Sequence, residues 1–254
     1  FSDTYHSCLT NQRLDQALSA ITKNIGRSLD IVAFDACLMA MIEIANLIKP
    51  YTHYLVASQE VELAPGWPYH LVFKPLISQY VDPQTWCSHI IASYKQVYHP
   101  ITDDFTQSAI DLTQTGTIEH ELDILSDTLK QALLLQSNKS VASYIYTCRS
   151  RSQCTYFAEP SYIDLHHFLS NLISYVDQIH LIEKTEEIKN HIKEHAQLCC
   201  QAIEHAVIAN EVGEQLHKAK GLSIYFPLRI VDPSYQCIPI SKNHQWLSFL
   251  NAYL

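Results

Sequence analysis

Asp30-Ile-Val-Ala-Phe-Asp-Ala-Cys-Leu-Met-Ala-Met-Ile-Glu43, followed after ten residues by Tyr54-Leu-Val-Ala57, decides how the rest of the chain is read. Residues 30–35 form a short apolar run bounded by acids, the pattern of a strand buried on both faces. Helical spacing returns from Leu38 to Leu47, and Tyr54–Ala57 is a second short buried strand. Strand, helix, strand is a βαβ unit, and it predicts a parallel sheet covered by helices. The same stretch, Ile31 to Ile48, is also the most lipid-like in the chain. It contains Asp35, Glu43 and Asn46, however, and each central acid would cost roughly 2.5–3.5 kcal/mol in a bilayer, so no membrane span is expected.

Upstream, apolar positions 14, 18, 21 and 25 make a helical stripe, with Thr10 or Asn11 as the N-cap and Gly26 as the stop. Downstream, the pattern predicts helices over 68–80 and 83–98, a strand over 105–112 and a helix over 117–136. A strand over 142–148, helices over 161–176 and 184–210, the strand Leu222–Phe226 and a last helix over 244–254 follow. No repeat, low-complexity tract or linker interrupts this order. The expectation is one α/β body spanning 1–254 with a mostly parallel central sheet, and 160–220 as a candidate helical subdomain.

Composition excludes several classes. Of 254 residues only five are glycine, and the closest two lie eight positions apart, so no GxGxxG or GxxxxGK[ST] phosphate loop exists. Hydrophobic residues make up 47% and charged residues 17%, which describes a chain that buries a core and is not disordered. The net charge is −9 with no basic run, which argues against nucleic acid and anionic membranes and in favour of basic peptides. The eight cysteines include no CxxC pair, which argues against a structural zinc site or a thioredoxin-like redox pair. Cys148 and Cys154 are either a short-loop disulfide or free apolar thiols.

Cys37 sits where a buried strand gives way to a helix, the place where open α/β sheets carry working residues. A helix N-terminus nearby would favour the thiolate. The segment 30–43, with Tyr54-Leu-Val-Ala-Ser-Gln-Glu60 and Gly66-Trp-Pro-Tyr69, resembles the clostripain family of cysteine peptidases in the caspase-like clan. Ser108-Ala-Ile-Asp-Leu112, Tyr162-Ile-Asp-Leu165, Gly221-Leu-Ser-Ile-Tyr-Phe-Pro227 and Trp246-Leu-Ser-Phe-Leu250 continue the resemblance in order along the chain. It implies a three-layer α/β/α sandwich and a bacterial cysteine endopeptidase cleaving after Arg or Lys. Cys37 would be the nucleophile and Asp35 the acid facing a basic P1 side chain. Ser58, Gln59 and Glu60, at the end of the next strand, could line the same pocket, with Trp67 as an apolar wall.

The resemblance also implies a catalytic histidine in a His-Gly pair at the end of an earlier strand. None of the fourteen histidines here is followed by glycine, and only His6 precedes Cys37. The expectation is therefore that a light-chain-like N-terminal segment, with at least one strand, supplies the histidine, and that this chain alone is inactive. The rival expectation is a catalytically dead relative kept for binding. Calcium and a secreted or cell-envelope location rest on the resemblance alone, and no DxDxDG loop marks a calcium site. His191-Ile-Lys-Glu-His195 matches the HxxEH zinc-peptidase pattern, a short match on a Glu- and Lys-rich helix that reads as a solvated face.

Overall fold

Helix α1 (Asn11–Ile25) starts at Thr10, whose hydroxyl accepts the N–H of Arg13, and ends at Gly26 in the left-handed conformation, φ 72°. In this computed structural model residues 9–135, 139–179 and 185–254 are described; His6 and Cys8 lie outside them. Strand β1 (Leu29–Ala33), helix α2 (Ile42–Ile48) and strand β2 (Thr52–Ala57) form the expected βαβ unit, with β1 and β2 parallel. The helix begins later than its periodicity suggests. Leu38 takes φ 61°, and the N–H groups of Leu38 and Ala40 donate to the carbonyls of Glu60 and Ser58, so residues 36–40 form a loop clamped to the chain beyond β2.

Next come α3 (Tyr69–Val72), a 3-10 turn over Lys74–Ile77, and α4 (Pro83–Tyr98), which Asp82 caps by accepting the N–H of Thr85. Strand β3 (Thr106–Asp111) and helix α5 (Thr115–Leu134) follow as expected. The strand expected over 142–148 is instead helix α6 (Lys139–Arg149). Its Val, Tyr and Ile residues suggested a strand, but the buried Val141, Tyr144, Ile145 and Cys148 stand at helical spacing.

Strand β4 (Tyr162–Asp164) takes the first residues of the expected 161–176 helix, and Asp164 caps the remainder, α7 (Leu165–Tyr175). Helix α8 (Thr185–Ala206) stops short of 210 because β5 (Val207–Val212) pairs with β3. Strand β6 (Ser223–Tyr225), helix α9 (Pro239–Asn243) and helix α10 (Trp246–Tyr253) complete the order. No described helix is long and apolar enough to cross a membrane.

The main sheet runs β1-β2-β3-β5. The α/β sandwich is as expected, and its sheet is mixed in direction: β1 and β2 are parallel, while β3 lies antiparallel to both its neighbours, β2 and β5. Side chains alternate between two cores. Leu55, Ala57 and Ile110 face the larger one with Ile42, Leu122, Phe168 and Phe249, whereas Val56 and Ala109 face a smaller one with Ile90, Tyr94, Tyr98 and Phe105. The sheet is thus the middle of three layers. A second, two-stranded sheet pairs β4 with β6, and a bridge from Met41 to Ser223 ties it to the loop that carries Cys37. Strand β1 lies at an edge of the main sheet, and none of its residues is fully buried.

Candidate active site

Cys37 is exposed in the loop between β1 and α2. The N-cap of α2 is Met41, so the first turn of that helix is not what reaches the sulfur. The backbone N–H of Glu62 does, donating to Cys37 Sγ at 3.3 Å. This main-chain donor, and not a helix terminus, is the polar contact made to the sulfur. The loop is braced on both sides: Phe34 N–H donates to Val56, Ala40 N–H to Ser58, and Ser223 N–H to Ala40. Cys37's own N–H has no hydrogen-bond partner among the described residues.

Asp35, two residues earlier, is exposed as well. Its Oδ2 accepts the N–H of Trp67 at 3.0 Å and the hydroxyl of Tyr69 at 2.9 Å, while Oδ1 has no partner among the described residues. Gly66 makes this geometry available. Its φ is 69°, and a Cβ there would stand 2.6 Å from Asp35 Oδ2. One carboxylate oxygen is held and the other is free to meet a cation.

The residues expected beside them sit differently. Ser58 is buried, its Oγ paired with Thr106 Oγ1 at 2.9 Å and accepting the N–H of Glu60. Gln59 is buried too, donating to Asp164 Oδ2 and accepting the N–H of Gly221. Glu60 accepts the N–H of Ala158 on both carboxylate oxygens at 3.0 Å, and burial pushes its pKa up. Trp67 packs into the smaller core and donates its indole N–H to Glu62. Asp35 and Cys37 therefore face solvent together, while Ser58, Gln59, Glu60 and Trp67 brace the loops that carry them.

Glu62 was not singled out by its sequence. It is buried, accepts the indole N–H of Trp67 and the Gln107 side-chain amide, and is pushed up to about 7 by burial. An acid between Val61 and Leu63 was the available signal. Tyr69, quoted within a motif, gained its role only when its hydroxyl met Asp35.

A cleft of about 520 Å³ opens beside Cys37, lined also by Met41, Glu43, Tyr225 and Tyr235. Among the described residues no histidine lines it, and none is bonded to Cys37. In the HxxEH stretch His195 pairs with Glu121 at 2.7 Å, and no group of three His, Cys, Asp or Glu among the described residues is arranged to hold a metal. Calcium rests on the resemblance alone, and no step below uses it. Cys148 and Cys154 are unbridged, and burial raises both thiols.

Several solved structures share the fold. A cysteine protease of B. fragilis is 19% identical, with a TM-score of 0.65 over 100% of both chains. A clostripain of Bacteroides thetaiotaomicron ATCC 29148, solved with a peptide inhibitor, is 18% identical, with a TM-score of 0.56 over 98% of this chain and 97% of that one. An inactive zymogen C11 protease of Parabacteroides distasonis is 19% identical, with a TM-score of 0.55 over 92% of this chain and 61% of that one. No curated protein matches in sequence. The clostripain family model, Peptidase C11, matches residues 1–247, almost the whole chain and every motif around Cys37. The chain belongs to the clostripain family of cysteine peptidases.

Proposed function

We propose that this chain is the nucleophile-bearing part of an endopeptidase that cleaves after Arg or Lys, with its catalytic histidine carried by a segment that adds a strand beside β1. The observation that carries the reading is the exposed Cys37 thiol, which accepts a backbone N–H and stands two residues from an acid with a free oxygen. The thiolate attacks the scissile carbonyl carbon, and the unbonded N–H of Cys37 is a donor to the resulting oxyanion. The C–N bond breaks as the imidazolium protonates the leaving amine. Water, losing a proton to the imidazole, then hydrolyses the thioester and releases the thiolate. Asp35 Oδ1 pairs with the P1 guanidinium or ammonium. The Bacteroides thetaiotaomicron clostripain, whose inhibitor is written BTN-VLTK-AOMK, lends weight to a basic P1 because its peptide letters end in K.

The open side of β1 supports the second half of the proposal. Unpaired strand edges invite another strand, and a groove of about 560 Å³ runs beside this one, lined by Leu29, Ile31, Tyr80 and Trp86. Tyr80 stands 87% exposed along it and Leu76 39%, apolar surface suited to a covering segment.

The chain is tested alone and together with the coding segment upstream of it, on Arg- and Lys-ended fluorogenic peptides, each beside Cys37→Ala. Hydrolysis is expected only with the segment present, and Cys37→Ala lowers it at least about 10⁴-fold without unfolding the protein. Activity of the chain alone, or activity that survives Cys37→Ala, overturns the reading. An inert assembly that still binds these peptides identifies a binding relative instead.

A further inference from the structure

The cleft beside Cys37 has a composition that the peptidase chemistry above does not use. Among the described residues, three carboxyl residues line it, Glu43, Glu159 and Asp232, together with three tyrosines, Tyr162, Tyr225 and Tyr235, and no Lys, Arg or His. Asp35 is not among the lining residues. It is held by Trp67 and Tyr69 on the flank of the smaller core, whereas Met41, Tyr225, Tyr235 and Ile238 belong to the larger core.

Acidic surface residues alone would mean little, but Glu43 is 3% exposed. Its Oε1 accepts the N–H of Tyr225 at 3.0 Å and the hydroxyl of Tyr235 at 2.9 Å, while its Oε2 is buried with no hydrogen-bond partner. A buried carboxyl oxygen without a donor is costly, and a cation or donor that reached it from the cleft would remove that cost. Burial pushes this carboxyl up to about 7, and an incoming positive charge would favour its ionised form.

The tyrosines add a second attraction. Tyr225 stacks on Tyr235 with ring centroids 4.6 Å apart, Tyr162 lies 5.8 Å from Tyr225, and such faces attract cations. Asp232 and Glu159 stay at the exposed rim, where Asp232 is kept ionised by hydrogen bonds from Ser234. The three acids do not converge as metal ligands do. Spread along an aromatic cleft, they suit an elongated organic cation.

We propose that this cleft is a second cation subsite, in which Glu43, Asp232 and the tyrosines take a Lys or Arg side chain of the peptide substrate other than the P1 residue that meets Asp35. The proposal rests on the peptidase reading for its ligand, and its test reads binding so that the two can fail separately. Fluorescein-labelled octapeptides of alanine with Arg at the fourth position, and one Lys moved through the other positions, are titrated into the full-length protein carrying Cys37→Ala. Fluorescence anisotropy is the readout.

Lys at one position is expected to tighten binding about 10-fold over Ala, and Glu43→Gln or Asp232→Asn to cut that gain at least about 3-fold while leaving the contribution of Arg unchanged. Asp35→Asn gives the reverse pattern. Asp232, at the rim, serves as the variant of choice if Glu43→Gln lowers the melting temperature. No gain at any position, or a gain that survives both Glu43→Gln and Asp232→Asn, overturns the subsite. Loss of the Arg contribution with the Lys gain retained counts against a basic P1 and leaves the subsite standing.

Discussion

Residues 35–38 and 58–62 lie side by side at the ends of two paired strands, and they are built on opposite plans. In the first, Asp35 and Cys37 are exposed, Leu38 takes φ 61°, and one oxygen of Asp35 is without a partner. In the second, Ser58, Gln59, Glu60 and Glu62 are all buried and bonded to residues from β3, β4 and the 158 loop. Polar residues in the first loop have free valence for a ligand, while the side chains of Ser58, Gln59 and Glu60 are committed to β3, β4 and the 158 loop, and Glu62 keeps one buried oxygen without a partner. Chemistry and support are thus divided between two loops only a strand spacing apart.

The sharpest way to break this contrast is to neutralise the exposed acid. Asp35→Asn keeps an acceptor for Trp67 N–H and Tyr69 OH, so the melting temperature is expected to stay where it is. On the assembled enzyme, kcat/KM for Arg and Lys substrates should fall about 10²–10³-fold, as removal of one partner of a charged pair does, with little change on a neutral P1. An equal loss on neutral and basic P1 substrates would make Asp35 a supporting residue like its neighbours at 58–62.

The reverse experiment strikes the second loop. Gln59→Leu leaves the buried N–H of Gly221 without an acceptor and takes one donor from Asp164. Denaturant unfolding should show a loss of about 1–3 kcal/mol, while the ratio of Arg to neutral P1 turnover in the surviving enzyme is unchanged. A shift in that ratio without loss of stability would place Gln59 in the substrate pocket after all.

Much of the first loop was legible in the sequence because its signals are local. An apolar run ending in Asp35-Ala-Cys37 marks the end of a strand, and parallel pairing of β1 with β2 follows from the helical spacing between them. The second loop was not legible, because its burial depends on partners far along the chain. Gln59 meets Asp164 and Gly221, and Glu60 meets Ala158. From sequence, Ser-Gln-Glu after a strand reads as an exposed turn that could face a ligand. The strand wrongly expected over 142–148 has the opposite cause, since residue type was weighed above a spacing of three and four that was already present. Strand β5 was hidden because its residues continue the apolar pattern of α8 and are drawn out of it by pairing with β3.

Glu62 stands between the two plans, since its backbone serves Cys37 while its side chain is buried, and its titration sharpens the distinction with the smallest effect. Its carboxyl is raised from 4.5 to about 7, chiefly by burial. Between those values the folded protein holds a proton that the unfolded chain has released. The stability this proton contributes is full below about pH 4.5 and is lost as pH rises through about 7. Glu62→Gln removes the titration, so the variant gains on the parent with rising pH, by at most about 1.4 kcal/mol per pH unit. The difference between the two proteins is the quantity to follow in urea unfolding from pH 5 to pH 8. Glu43 contributes a slope of the same sign in both, and His167, pushed down to about 4 by burial, one of opposite sign in both. A difference that stays flat with pH would mean that Glu62 is ionised throughout this range despite its burial beside Trp67 and Gln107.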